Sequence, residues 1–202
     1  IPCSEILLQQ PKYFMMNNPE LINKIKRIKL IISDVDGVLT DGSIFISGDG
    51  TEMKQFSVED AAGCALAKHA DLPIAFISGR YSEATTIRLK EMKIPHVYQG
   101  DLNKTPPFEE LLEIYQVDLF EVAYIGDGLV DLPVMERCGL KVAPSNSHFL
   151  VLKIADYVTQ KSGGEGALRE MIEWILHGQK LYYPALEKMR DQVYLKNKST
   201  SQ

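Results

Sequence analysis

Cysteine is scarce: Cys3, Cys64 and Cys138 are spread widely and irregularly through 202 residues. That spacing fits neither a disulfide framework nor a zinc site, so a reducing cytosol is the expected setting. Cys64 and Cys138 sit within apolar helical patterns and read as inert core residues. Positive charge is also in deficit, with a net charge of −5. The one basic cluster, "KIKRIK" (Lys24–Lys29), is short and interleaved with isoleucine, which argues against a nucleic-acid partner. No apolar run approaches bilayer-spanning length, so no membrane partner is expected. The opening "IPCSEILLQQ" has neither the basic nor the long apolar region of a secretory leader, and its lack of Met suggests a natural start upstream. Internal repeats and low-complexity tracts are missing too.

What is present suits one ordinary globular domain: 45% of residues are hydrophobic and 24% charged. "NPELINKIKRI" begins with a capping Asn and a Pro and predicts a short helix. "IKLIIS" follows as a buried strand. "SIFISGDGTEMKQF" reads as a hairpin turning at Gly48, Asp49 and Gly50. A helix is expected over Glu59–Ala70, a strand over Leu72–Ser78 and a helix over Ser82–Lys93. Then come a short strand "HVYQ", a Pro-led helix "PPFEELLEIYQ" and a buried strand "EVAYIGD" (Glu121–Asp127). A helix near Asp131–Arg137, short strands at "LKVA" and "DYVT", a helix from Glu165 and a further helix with a polar tail complete the chain. Such alternation predicts an α/β fold with a doubly wound, mostly parallel sheet, whose ligands bind at the carboxyl ends of its strands.

Those ends carry the chemistry. The first strand delivers Asp34 and Asp36, the second Ser78 and the third Asp127, while Lys104 opens the helix after "HVYQGDLN". Asp34 and Asp36 are two apart, so an extended backbone points both the same way. Carboxylates aimed at one spot repel one another and call for a cation, and all-oxygen ligation favours Mg²⁺. Taken alone, each Asp-Gly pair is an ordinary turn former; acids, a hydroxyl and an ammonium at matched strand ends favour chemistry. Asp131 reads either as a support for Lys104 or the metal, or as a helix-starting acid. Arg80 and Arg88 suit a carboxylate or phosphate, or else a solvated helix face.

"DVDGVLTDG", "FISGR", Lys104 and "GDGLVD" together resemble the four-part signature of the haloacid dehalogenase (HAD) superfamily of phosphatases, over about Lys29–Leu176. The resemblance implies a Rossmann-like HAD fold and catalytic residues Asp34, Asp36, Ser78 and Lys104. Asp34 would be the nucleophile and Asp36 the acid and base. Asp34, Asp127 and the main-chain carbonyl of Asp36 would hold Mg²⁺, with Asp131 supporting. Too little chain separates Asp34 from Ser78, and Ser78 from Lys104, for a cap domain. The chain is similar to the capless family whose best-known member hydrolyses 3-deoxy-D-manno-octulosonate (KDO) 8-phosphate. "YQGDLNK", "VAYIGDGLVDLPVMERCGL", "ADYVT" and "GGEGALRE" all look like that family.

That likeness implies a small sugar-acid phosphate as substrate, contacted by Asp36, Ser57, Asp60, Ala61, Gly79, Arg80, Arg88 and Lys104. It also implies a cytoplasmic homotetramer in bacterial lipopolysaccharide synthesis, neighbouring hairpins covering each site, with Gly163–Gly166 able to approach an active site. The expected divisions are an N-terminal extension with a short helix (1–27), the phosphatase domain (28–177) and a C-terminal helical extension with tail (178–202). Arg80 favours the eight-carbon substrate over nine-carbon ulosonate 9-phosphates, whose enzymes resemble a pattern with Glu there.

Some residues depart from the family. "FSVEDAAG" (Phe56–Gly63) replaces an Asn-x-Arg-Asp-Gly type of segment, placing Glu59 where a cation is common and Ala61 where Gly is; its "DAAG" looks closer to the nine-carbon relatives. Gly128 and Val130 stand where Asp and Asn are usual, leaving Asp127 to keep the metal site, more weakly. Two rivals are a phospho-receiver domain and a non-catalytic HAD-like regulatory or oligomerisation subunit. The first lacks the Asp-x-Asp spacing and the long hairpin. The second would require loss of Asp34, Asp36 or Lys104, and all three are present.

Overall fold

Asn18 starts the first helix by accepting the Glu20 N–H at 3.0 Å, with Pro19 at the first helical position. The computed structural model describes residues 18–198, with side chains to Gln192. The opening decapeptide, Cys3 and the last residues of the polar tail lie outside that range. Helix α1 (Pro19–Arg27) turns Leu21 and Ile25 inward and leads into β1 (Leu30–Ser33), whose four residues are all buried.

Beyond β1 come the hairpin strands β2 (Phe45–Ile46) and β3 (Glu52–Met53), then α2 (Val58–His69), β4 (Ile74–Ser78), α3 (Glu83–Glu91) and β5 (His96–Gln99). They are followed by α4 (Thr105–Tyr115), β6 (Val122–Ile125), α5 (Leu132–Met135), β7 (Leu140–Ala143), α6 (Phe149–Ile154), β8 (Tyr157–Val158), α7 (Ala167–Gly178) and α8 (Tyr182–Lys198). The main sheet has six strands in the order β5-β4-β1-β6-β7-β8, every neighbouring pair parallel. The sheet is therefore doubly wound, as expected.

Period-two alternation divides the core between the two faces of the sheet. Ile31, Phe76, Ala123 and Ile125 pack on one side with Leu21, Ile25, Cys64, Leu168 and Trp174. Leu30, Ile32, Ala75, Ile77 and Tyr124 pack on the other with Phe108, Leu111 and Cys138. Full burial of such a side chain stabilises the fold by about 1.5–3 kcal/mol. Ala185 of α8 joins the first cluster, and Gln179 ties the end of α7 back to the Ile25 and Ile28 carbonyls at 2.9 and 2.7 Å. Cys64 and Cys138 are free and buried. Among the described residues no helix is long and apolar enough to cross a membrane.

Two local details differ from expectation, and a third lies where no element was expected. The hairpin turns where predicted, at Ser47–Thr51, but its arms pair over two residues each. The helix expected over Asp131–Arg137 is a 3₁₀ turn (Leu129–Asp131) followed by the four residues of α5, because Pro133 and a short reach to β7 leave room for little more. "FLVLKI" forms α6; as a six-residue apolar run it has no periodicity that distinguishes helix from strand.

Candidate active site

The carboxyl ends of β1, β4 and β6 open on one edge. At the end of β1 the Asp34 N–H donates to Ile125 O at 3.0 Å, which fixes the chain as it leaves the sheet. The buried Asp34 side chain accepts the Val35 N–H at 2.6 Å, and its Oδ1 stands 2.8 Å from Lys104 Nζ. Lys104 occupies the N-cap position of α4 and is itself buried.

Asp131 holds Lys104 from the far side, with Oδ1 at 2.7 Å from Nζ. The same oxygen accepts the buried Tyr124 hydroxyl at 2.8 Å, and Oδ2 accepts the N–H groups of Asp127 and Gly128 at 3.1 and 3.0 Å. Asp131 therefore fixes a lysine, a tyrosine and the loop that carries Asp127. The Gly128 and Val130 departures leave these backbone contacts in place.

Ligand oxygens of Asp34, Asp127 and Asp131 all lie within 4.8 Å of one another. Gly37 makes this approach possible: at φ +88° it sits in the left-handed region, and an added Cβ would stand 2.1 Å from Asp127 Oδ2. The loop is backed by Gly163, where a Cβ would meet Gly37 O at 1.9 Å, and by Gly164, whose N–H donates to Val38 O at 2.9 Å. Gly163 and Gly164 thus lie against their own chain's Asp-rich loop, while Gly166 faces Glu59.

Charge in this cluster is unbalanced. Burial and the neighbouring Asp131 push Asp34 well above the usual carboxylate range, against the opposing pull of Lys104. Burial, then Asp131, raises Asp127 to about 6. Burial alone would push Lys104 down, yet Asp34 and Asp131 outweigh it and hold the ammonium above its ordinary value. Three carboxylates facing one ammonium, in a site that disfavours the ionised forms of Asp34 and Asp127, make a donor set that fits a hard divalent cation. Both oxygens of Asp131 already have partners, so Asp34 and Asp127 are the available carboxylate ligands.

Ser78 Oγ donates to Arg80 O at 2.9 Å and lies 3.4 Å from Asp36 Oδ2. Gly79 packs under Leu102. Arg80 is exposed and is held by Glu52 Oε2. The other expected contacts form a separate group around α2 and α3. Ser57 caps α2 by accepting the Glu59 N–H at 3.1 Å, and its carbonyl accepts from Arg88 Nη2 at 3.2 Å. Asp60 is buried and accepts the Arg169 N–H at 3.1 Å; burial and the adjacent Glu59 raise its carboxyl to about 6. Ala61 and Arg88 line a groove of about 1020 Å³ with His69, Ile74 and Lys188, where Ile74 begins the strand that Ser78 ends. Among the described residues no hydrogen bond or ion pair joins Ser57, Asp60, Ala61 or Arg88 to Asp34, Asp36, Lys104 or Asp127. The acids and the ammonium do not line this groove, and they mark the site.

Sequence reasoning passed over Lys54 and Tyr124. Lys54 Nζ stands 2.5 Å from Asp36 Oδ1 with its side chain fully enclosed. The signal was the alternation Glu52–Met53–Lys54, which puts two charges on one side of the hairpin arm. On a short hairpin that pattern equally describes a solvated face.

A family model described as haloacid dehalogenase-like hydrolase matches residues 67–171. The 3-deoxy-D-manno-octulosonate 8-phosphate phosphatase of Escherichia coli (strain K12) is 43% identical over 160 residues, 79% of this chain and 85% of that protein. The chain belongs to the haloacid dehalogenase-like hydrolases. Its likeness to solved members extends over most of the molecule. The 3-deoxy-D-manno-octulosonate 8-phosphate phosphatase from Yersinia pestis aligns with a TM-score of 0.80 at 40% identity, covering 82% of this chain and 89% of that one. The enzyme of the same name from Moraxella catarrhalis, solved in complex with magnesium ion, phosphate ion and KDO, gives 0.81 at 36% identity, covering 84% and 98%. As a haloacid dehalogenase-like hydrolase the chain is capless: between β1 and α2 there is a hairpin and no lid domain.

Proposed function

We propose that this phosphatase hydrolyses 3-deoxy-D-manno-octulosonate 8-phosphate through a phosphoryl group carried transiently on Asp34. The observation that carries the reading is the pairing of Asp34 Oδ1 with Lys104 Nζ at 2.8 Å, with Asp127 and Asp131 gathered around it. A carboxylate attacking a phosphate monoester meets an anion, so positive charge must already be in place. Lys104, anchored by Asp131, presents that charge without having to reorganise. Magnesium, when held by Asp34, Asp127 and the main-chain carbonyl of Asp36, supplies the remaining neutralisation. Ser78 Oγ, once its hydroxyl turns from the Arg80 carbonyl, would donate to a phosphoryl oxygen. Asp36, two residues beyond the nucleophile, gives a proton to the leaving alkoxide and then takes one from the water that releases phosphate.

Arg80, exposed beside Ser78, is suited to the substrate's carboxylate. The similarity to octulosonate phosphatases across most of the chain supports that substrate. The hairpin and the residues after it expose Phe45, Ile46, Met53 and Val58, an apolar surface that suits burial against another copy and supports a homotetramer with shared sites. The setting would be the cytoplasm, in the synthesis of envelope lipopolysaccharide sugars.

Steady-state phosphate release from a panel of sugar phosphates with magnesium tests the reading. The octulosonate 8-phosphate should have the highest kcat/KM. Faster turnover of a nine-carbon ulosonate 9-phosphate would move the assignment to that class, and faster turnover of simple hexose phosphates would overturn the sugar-acid assignment.

A further inference from the structure

Asp36 does not stand free. Lys54 reaches it from the arm after the hairpin turn, with Nζ 2.5 Å from Asp36 Oδ1, 3.4 Å from Thr85 Oγ1 and 3.7 Å from Glu52 Oε1. Glu52 faces the other way as well: its Oε2 accepts both Nε and Nη2 of Arg80, at 3.2 and 2.5 Å. Glu52 Oε1 is buried and has no hydrogen-bond partner. Asp36, Lys54, Glu52 and Arg80 thus form one line of alternating charge, slack at a single link, the 3.7 Å gap between Glu52 and Lys54.

We propose that Glu52 and Lys54 are positioning residues that couple capture of a substrate carboxylate at Arg80 to the release of Asp36 for acid–base work. The inference rests on the roles given above to Asp36 and Arg80. Glu52 occupies the Nε–Nη2 edge of Arg80, an edge whose paired donors match a carboxylate. A second carboxylate arriving there is repelled by the first, so the substrate displaces Glu52. The freed carboxylate has a cation within reach in Lys54, and its unsatisfied oxygen favours closing that gap. Lys54 drawn toward Glu52 loosens its hold on Asp36. A phosphate ester lacking a carboxylate leaves Glu52 on Arg80 and Lys54 on Asp36, so the hairpin arm favours sugar acids in kcat as well as in binding.

The test compares kcat and KM for octulosonate 8-phosphate and for glucose 6-phosphate, which has no carboxylate but an equally poor leaving group. The full chain is used with magnesium, unaltered and as Glu52→Gln and Lys54→Met, with folding checked by circular dichroism. In Glu52→Gln the kcat preference for the octulosonate ester should fall about tenfold with no rise in its KM. In Lys54→Met glucose 6-phosphate should turn over faster than with the unaltered enzyme. Equal losses on both esters, or a change confined to KM, would overturn the relay, and if Lys54→Met does not fold, Glu52→Gln decides alone. Turnover by the unaltered protein with its preference intact in both variants overturns the relay only. No phosphate release from either ester by the unaltered protein overturns the phosphatase reading and the relay with it.

Discussion

Lys104 and Asp131 meet at 2.7 Å with both side chains fully enclosed, and the carboxylate is satisfied on every side by Lys104, Tyr124 and two backbone N–H groups. A buried pair of this kind is costly to break from one side, because the partner's charge stays behind without compensation.

Asp131→Ala should therefore affect stability and catalysis together. Removing the carboxylate strands Lys104 and leaves Tyr124 and two N–H groups without their acceptor, a loss of about 3–5 kcal/mol. Urea unfolding should show a lower midpoint, and kcat measured on the folded fraction should fall by roughly 10–100-fold as Lys104 loses its aim. A variant with parental stability and turnover would show that Asp131 is only a helix-starting acid.

Gly37→Ala isolates the ligand geometry. Its φ of +88° disfavours any Cβ, and the added methyl would take the place of Asp127's carboxylate. We expect weaker magnesium binding by calorimetry, with a stability loss of about 1 kcal/mol or more from the backbone alone. Unchanged affinity would mean that Asp127 does not need to lie against this loop.

Asp60 sets a pH dependence of opposite sign to the usual carboxylate. Burial raises it to about 6 in the fold from 3.8. Its protonated form is favoured by folding, so the stability it contributes is complete below 3.8 and is lost as pH rises through about 6. Asp60→Asn keeps the acceptor for the Arg169 N–H and removes the titration. The variant's stability advantage over the parent should grow by about 1 kcal/mol between pH 5 and pH 8 in urea unfolding. A constant difference across that range would contradict the shift.

The sheet was legible because β1, β4 and β6 are continuous apolar runs bounded by turn residues, and a parallel sheet buried on both faces needs such runs. The meeting of Asp34, Lys104 and Asp127 at one edge followed from where those runs stop. Lys54 was not legible, since its bond to Asp36 spans 18 positions and depends on how far the hairpin folds back over the site. Nor was the position of Arg88: the helical pattern over Ser82–Lys93 includes it, but the Ser57 carbonyl and Glu91 that occupy it come from tertiary packing and the next turn. Short-range pattern specifies strands, caps and turns, whereas long charged side chains take directions that only the assembled core decides.

Replacing Asp34 by Asn is the most direct test. The substitution keeps the shape of the side chain, removes its nucleophilic oxygen and relieves a buried carboxylate that the fold disfavours. We predict a folded protein with a thermal midpoint at pH 8 no lower than the parent's and phosphate release reduced by roughly 10³-fold or more. Parental turnover in that folded variant would contradict the assignment of Asp34 as the group that receives the phosphoryl.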